Sequence, residues 1–210
     1  MSRPSQIDGL VQPERAVAKR EISMTITTFD PKIALIIIDL QKGITAHPGA
    51  HPVAEIVCNA AALADTFRAH HLPVVLVNVA GVAPGRTEQA LSPGARPADW
   101  AELVPELNLQ PTDHVVTKRT WGAFKNTDLE DYLKRQGVTQ LVLAGIATSI
   151  GVESTARNAY ELGFNVTLAV DAMTDRNAES HANSVTYVFP RLGETGTTKE
   201  IINLIKSRAV

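Results

Sequence analysis

The chain reads as an α/β protein: a mainly parallel central sheet between two helical layers, a three-layer α/β/α arrangement of Rossmann-like kind. Three observations lead there. Apolar, β-prone runs recur at Lys32–Asp39, Pro73–Val79, His114–Thr117, Gln140–Gly145 and Asn165–Val170. Most are continuous rather than alternating, as expected of strands buried on both faces. Amphipathic helical patterns separate them, and strands alternating with helices make βαβ units and hence a parallel sheet.

Taken in order, residues 1–24 carry scattered charge and two prolines but no apolar core of a secretory signal. They read as a flexible N-terminal arm, with Met24 a second candidate start, ahead of one domain over 25–210. After the first strand, Val53, Ile56, Val57, Ala60, Leu63, Ala64 and Phe67 follow helical spacing. The segment from Ala80 to Pro111 holds five prolines, and its one regular piece is expected at Pro97 to Leu103. A connection that long is usually a lid or binding loop, and this one is expected to cover the site. A helix over Thr127 to Gln136 has Thr127 and Glu130 at capping-box spacing and Gly137 as its stop. Another runs from about Gly151 to Leu162 and ends at Gly163. A last helix starts near Thr198, with Thr197 and Glu200 again at capping-box spacing.

Composition excludes several functions. Twenty basic residues against 22 acidic ones give a net charge of -2, so no basic stripe exists to hold a nucleic-acid backbone. No apolar run reaches the roughly 18 to 20 residues of a membrane span. One cysteine, Cys58, cannot form an internal disulfide, which fits a cytoplasmic protein. It lies mid-helix between Val57 and Ala60 and reads as a buried structural thiol, not a nucleophile. His47, His51, His70, His71, His114 and His181 show no ligand spacing, so no metal is expected.

Three residues stand where chemistry is expected. Asp39 closes ALIIID, Lys118 closes VVTK, and the turn before Gly151 closes LVLA. The carboxyl ends of parallel strands face one crevice, where α/β ligands bind. Taken singly, Asp39 is also an ordinary turn residue, Lys118 an ordinary solvated charge, and Gly151 an ordinary close-packing glycine. Their joint placement on three strand ends points to a site. Gly151 has no side chain, so the backbone there must supply electrostatics while reacting groups come from Asp39 and Lys118.

The segments IIIDLQ (Ile36–Gln41), KRTWGAFKNTDL (Lys118–Leu129) and GIATSIGVESTARNAYELGFNVTLAVDAMTD (Gly145–Asp175) resemble the isochorismatase-like hydrolases, the cysteine hydrolase superfamily. The likeness covers about residues 30 to 205. In most such proteins, as the resemblance has it, a cysteine stands at the position of Gly151 and completes an Asp-Lys-Cys triad for amide hydrolysis. A glycine resembles the isochorismatases proper, which cleave a vinyl ether to release pyruvate without a covalent nucleophile. The resemblance implies Asp39 as acid or base, Lys118 as its charged partner, and the main chain around Gly151 as an anion-stabilising wall. It also implies a cis peptide between Ile146 and Ala147, a pocket that includes Ile146, Ala147 and Gln41, and a homo-oligomer, dimer or tetramer. No cofactor is implied.

Vinyl ether hydrolysis needs a proton delivered to carbon and water added to the resulting oxocarbenium ion, so a general acid suffices. Burial would raise the Asp39 pKa, while the Lys118 ammonium would lower it. Helix-opening N–H groups near Gly151 would hold an anionic substrate. The chain departs from the isochorismatase pattern in two places, with Ala147 at a tyrosine position and VNVAGVAPGRT across a loop that carries glutamine and arginine in the resembled enzymes. Arg86 is the candidate carboxylate clamp in that loop. Trp121 and Phe124 are candidates for an aromatic wall, or for lid and subunit packing. Val185, Val188 and Phe189 fit either a subunit contact or the core. Two other functions stay open: water-mediated amide or C–N hydrolysis with Asp39 as general base, and a non-catalytic ligand-binding protein on the same fold.

Overall fold

Continuous apolar runs pair best where both faces can be covered, and the strands here do so in one parallel sheet. The computed structural model describes residues 26–88 and 96–208; the expected arm over 1–24 lies outside them. The strands are β1 (Ile33–Ile38), β2 (Val74–Val79), β3 (His114–Lys118), β4 (Gln140–Ile146), β5 (Asn165–Thr174) and β6 (Glu194–Gly196), in the order β3-β2-β1-β4-β5-β6. Every pairing is parallel. The helices are α1 (Lys42–Thr45), α2 (Val53–Ala69), α3 (Leu129–Arg135), α4 (Glu153–Glu161), α5 (Ala178–Asn183) and α6 (Thr198–Ser207). None is long and apolar enough to cross a membrane among the described residues.

The period of two along β1 divides the core. Ile33, Leu35 and Ile37 face Ile56, Leu63 and Phe67 of α2 and Ile201 and Ile205 of α6. Ala34, Ile36 and Ile38 face Leu129 and Leu133 of α3 and Ala156 and Ala159 of α4. All six β1 side chains are buried, so exchanging one for a polar group would strand that group without a partner. Val185 and Phe189 are seated in the second of these clusters, with Val188 packed against it.

Several local expectations change. Residues 98–101 form turns, not a helix, and the regular piece is a 3-10 turn at Pro105–Leu107; Pro105 opens it, and the preceding residues are spent on contacts with the β1 exit. The box at Thr127 and Glu130 does not form: the Thr127 hydroxyl donates to Ala123 O and Asp128 occupies the cap. At Thr197 and Glu200 it does form. Strand β5 runs on to Thr174, and α5 and β6 are short polar elements with no periodic signal. Cys58 is exposed. One residue turns a helix by about 100°, so Cys58 leaves the face shared by Ile56, Val57 and Ala60 despite its apolar neighbours in sequence.

Order along the sheet fixes where a site opens. The chain steps outward from β1 to β2 to β3, then returns to the other side of β1 with β4. Such a reversal leaves a crevice beyond the carboxyl ends of the two central strands. Asp39 follows β1, and the turn containing Gly151 follows β4.

Candidate active site

Asp39 extends the β1 ladder by one bond, its N–H donating to Val77 O at 2.8 Å, and then turns with φ of 53°. Aspartate tolerates this left-handed region better than most residues. The turn is secured by a strap from the following loop: Val104 N–H donates to Leu40 O, Lys42 N–H to Glu102 O and Gly43 N–H to Trp100 O. Gln41 is fully buried in this junction. Its Nε2 donates to Val79 O and Trp100 O, and its Oε1 accepts from Val79 N–H. The amide expected to meet substrate is thus committed to the main chain.

Lys118 ends β3, two strands from β1, with Lys118 opposite Val79 in register. Its long side chain crosses β2. Nζ donates to Asp39 Oδ2 at 2.8 Å, Trp121 O at 2.8 Å and Thr120 O at 3.3 Å, and an ammonium has three hydrogens to give. The pair is closed from solvent, Lys118 being 2% and Asp39 4% exposed. Asp39 Oδ1 is buried with no hydrogen-bond partner among the described residues. Burial raises the Asp39 pKa from 3.8 to about 6, against the opposing pull of the Lys118 charge and hydrogen bond. Desolvation wins the contest that the sequence left open.

Gly145 and Gly151 bring β4 into the site. Gly145 has φ of 120°, and a Cβ there would strike Ile38 O at 2.0 Å, so only glycine lets β4 lie this close to β1. The Ile146–Ala147 peptide is cis. A π-helical turn, Thr148–Val152, then leads into α4; such turns recur at functional sites. A Cβ on Gly151 would lie 3.2 Å from Asp39 Oδ2, 3.5 Å from Lys118 Nζ and 2.9 Å from Ile38 Cγ2. The three residues converge: the position lacking a side chain touches the ion pair. The Thr155 hydroxyl donates to Gly151 O and accepts from Ala123 N–H, joining this turn to the loop after Lys118.

The remaining candidates are scattered. Ile146 is buried in the core cluster on the α2 side and Ala147 is half-buried against it. Phe124 stacks on Phe164 with ring centroids 6.1 Å apart and packs on the core, while Trp121 is 63% exposed, so they do not form one wall. Arg86 is exposed. One of the N–H groups expected to hold an anion, that of Ser149, already donates to Asp175. Asp175, Ser149, His181 and Thr155 escaped sequence reasoning, although Asp175 and Ser149 lie at a strand end and a turn within the quoted motif. Among the described residues, no three His, Cys, Asp or Glu side chains converge as metal ligands.

The isochorismatase domain family matches residues 33–200. The chain belongs to the isochorismatase family. Members of this family are hydrolases, and the chain is 45% identical over 182 residues to the uncharacterized isochorismatase family protein YwoC of Bacillus subtilis, covering 83% of this chain and 95% of that one. It is 29% identical over 189 residues to an isochorismatase of Bacillus subtilis, covering 85% of this chain and 60% of the relative. A solved isochorismatase family protein from Burkholderia thailandensis superposes with a TM-score of 0.83 at 39% identity, over 87% of this chain and all (100%) of that one. The isochorismatase fold thus accounts for the parallel sheet and its flanking helices.

Proposed function

We propose that this isochorismatase-family hydrolase cleaves the vinyl ether of a small anionic metabolite resembling isochorismate, with Asp39 as general acid and water as nucleophile. The observation that carries the reading is the bare Gly151 against the Asp39–Lys118 pair. A hydrolase built for covalent attack needs a side chain there, and proton transfer does not.

The chemistry balances with the groups present. Protonated Asp39 gives its proton to the terminal vinyl carbon, and the electron pair of the double bond forms the new C–H bond. The ether oxygen stabilises the resulting oxocarbenium ion. Water adds to the oxygen-bearing carbon of that ion and returns a proton to the Asp39 carboxylate. The hemiketal then collapses to a ketone, here the carbonyl of pyruvate, and a free alcohol. A carboxyl group with its pKa near 6 is well matched to give and regain a proton near neutral pH. Asp39 Oδ1, left unpartnered among the described residues, is the oxygen free to do so. Lys118, tied to Asp39 Oδ2, keeps the carboxylate state accessible after the proton leaves.

The reading carries with it a cytoplasmic homo-oligomer, dimer or tetramer, acting without a cofactor. The exposed rings of Trp121 and Tyr187, at 63% and 66%, are apolar surface suited to a subunit contact. The test is to incubate the purified protein with isochorismate and, separately, with a panel of small amides, following pyruvate and ammonia. Pyruvate release that disappears in Asp39→Asn supports the proposal. Ammonia without pyruvate assigns Asp39 to base-catalysed amide hydrolysis instead, and binding without turnover of either kind assigns a ligand-binding role.

A further inference from the structure

Behind the Gly151 turn lies a second polar cluster that the proposed reaction does not use. Asp175, just beyond β5, is 4% exposed, and its carboxylate has no cationic hydrogen-bond partner among the described residues. Oδ2 accepts both the N–H and the hydroxyl of Ser149, each at 2.8 Å, and Oδ1 accepts from Asn177 N–H at 3.3 Å. Its main-chain oxygen accepts from Ala50 N–H at 2.7 Å. One residue therefore ties together the π-helical turn, the loop before α2 and the approach to α5.

The neighbours of Ser149 are held from the same side. The Thr148 hydroxyl lies 2.9 Å from His181 Nδ1, and the His181 ring meets that of His51 at a tilt of 60° with centroids 4.5 Å apart, the His51 Nδ1 lying 3.1 Å from the Thr174 hydroxyl. Ser184 donates to Glu153 at the start of α4 at 2.6 Å. His181 is the titratable group that faces Asp175, with His51 facing His181 in turn, while the charge facing Asp39 among the described residues is that of Lys118. A buried carboxylate is costly to keep unless its hydrogen bonds do something the fold needs, and here two of three go to a single residue of the active-site turn.

We propose that Asp175 is a positioning residue for this site: through Ser149 it fixes the turn that sets Gly151 against Asp39 and Lys118 and so keeps bulk water off that pair. The proposal rests on reading Asp39 as the site's proton-transfer group. It does not depend on which bond is cleaved. Loss of the Asp175 carboxylate frees the turn, water reaches Asp39, and the desolvation that raises its pKa declines.

The experiment follows the Asp39 carboxyl by carbon-13 NMR in protein labelled at aspartate, with Asp39→Asn assigning the resonance and no substrate present. In the unaltered protein the midpoint is expected at about 6. Asp175→Ala is expected to lower it by about one pH unit or more, and Asp175→Asn, which retains an acceptor for Ser149, to restore it. Asp171→Ala serves as the control, because Asp171 accepts the N–H and hydroxyl of Thr198 in the same manner at 2.7 and 2.8 Å, at the start of α6. That control is expected to lower stability without moving Asp39. An unmoved midpoint in folded Asp175→Ala, or an equal movement in Asp171→Ala, overturns the proposal. If Asp175→Ala does not fold, Ser149→Ala removes only the hydroxyl bond and is expected to move the midpoint in the same direction by less; no movement overturns the proposal equally. A normal Asp39 midpoint in the unaltered protein would remove the proposed function and this inference with it, whereas absence of pyruvate release with the Asp175 effect intact would leave this inference standing.

Discussion

Replacing Asp39 with asparagine gives a stability measurement that isolates the buried carboxyl. Asparagine also tolerates the left-handed backbone at φ of 53°, and it still offers Lys118 an oxygen, so the fold should survive. The Asp39 pKa is about 6 when folded against an ordinary 3.8. Between those values the folded chain holds a proton that the unfolded chain has released, so the carboxyl's contribution to stability falls as pH rises through this window. Above pH 6 it costs the protein about 3 kcal/mol relative to strong acid, at 1.36 kcal/mol per pH unit. About 2 kcal/mol of that change falls between pH 4 and 7. His181 works in the opposite sense: burial lowers its pKa below 6.5, so stability linked to it is lost as pH drops below 6.5. Subtracting the Asp39→Asn curve from that of the parent removes this and every other shared titration. The assay is urea unfolding of both proteins at half-unit steps from pH 4 to 7. Parallel pH dependences in the two proteins would refute the desolvation argument.

Three further outcomes are expected. On a vinyl ether substrate, kcat/KM should fall by about tenfold per pH unit above a midpoint near 6, as protonated Asp39 becomes scarce; a rate that climbs through the same range would reverse the role of Asp39. Gly151→Ala should abolish most turnover with only a modest fall in Tm, because its methyl would sit 3.2 Å from Asp39 Oδ2 and 2.9 Å from Ile38 Cγ2, inside the reacting space; retained activity would put the substrate elsewhere. Cys58, exposed on α2, should react with a thiol reagent in the native protein, and the labelled enzyme should keep its activity, since Cys58 is not among the residues that converge on Asp39. Inactivation on labelling would argue that the thiol matters.

The sheet was legible because burial on both faces writes continuous apolar runs, and Ile33–Ile38 is such a run without interruption. The ion pair was legible because strand ends in a parallel sheet are a known address, even though the sequence separation of 79 between Asp39 and Lys118 says nothing of a 2.8 Å contact. Helix α5 and strand β6 were missed because neither carries an apolar period. Gln41 and Asp175 show the harder limit. What each side chain does depends on a segment folded back from far away, the strap at Trp100 for one and the Ser149 turn for the other, and no local spacing encodes that encounter.

The positive φ of Asp39 has a consequence for how this site could vary. Among proteinogenic residues, glycine, asparagine and aspartate enter that conformation at least expense. Only one of the three bears an ionisable proton. A glutamate of equal charge would face both a penalised main chain and a longer reach into a space already filled by Lys118. The geometry of a single peptide unit thereby restricts the alphabet at this position almost as tightly as the chemistry does.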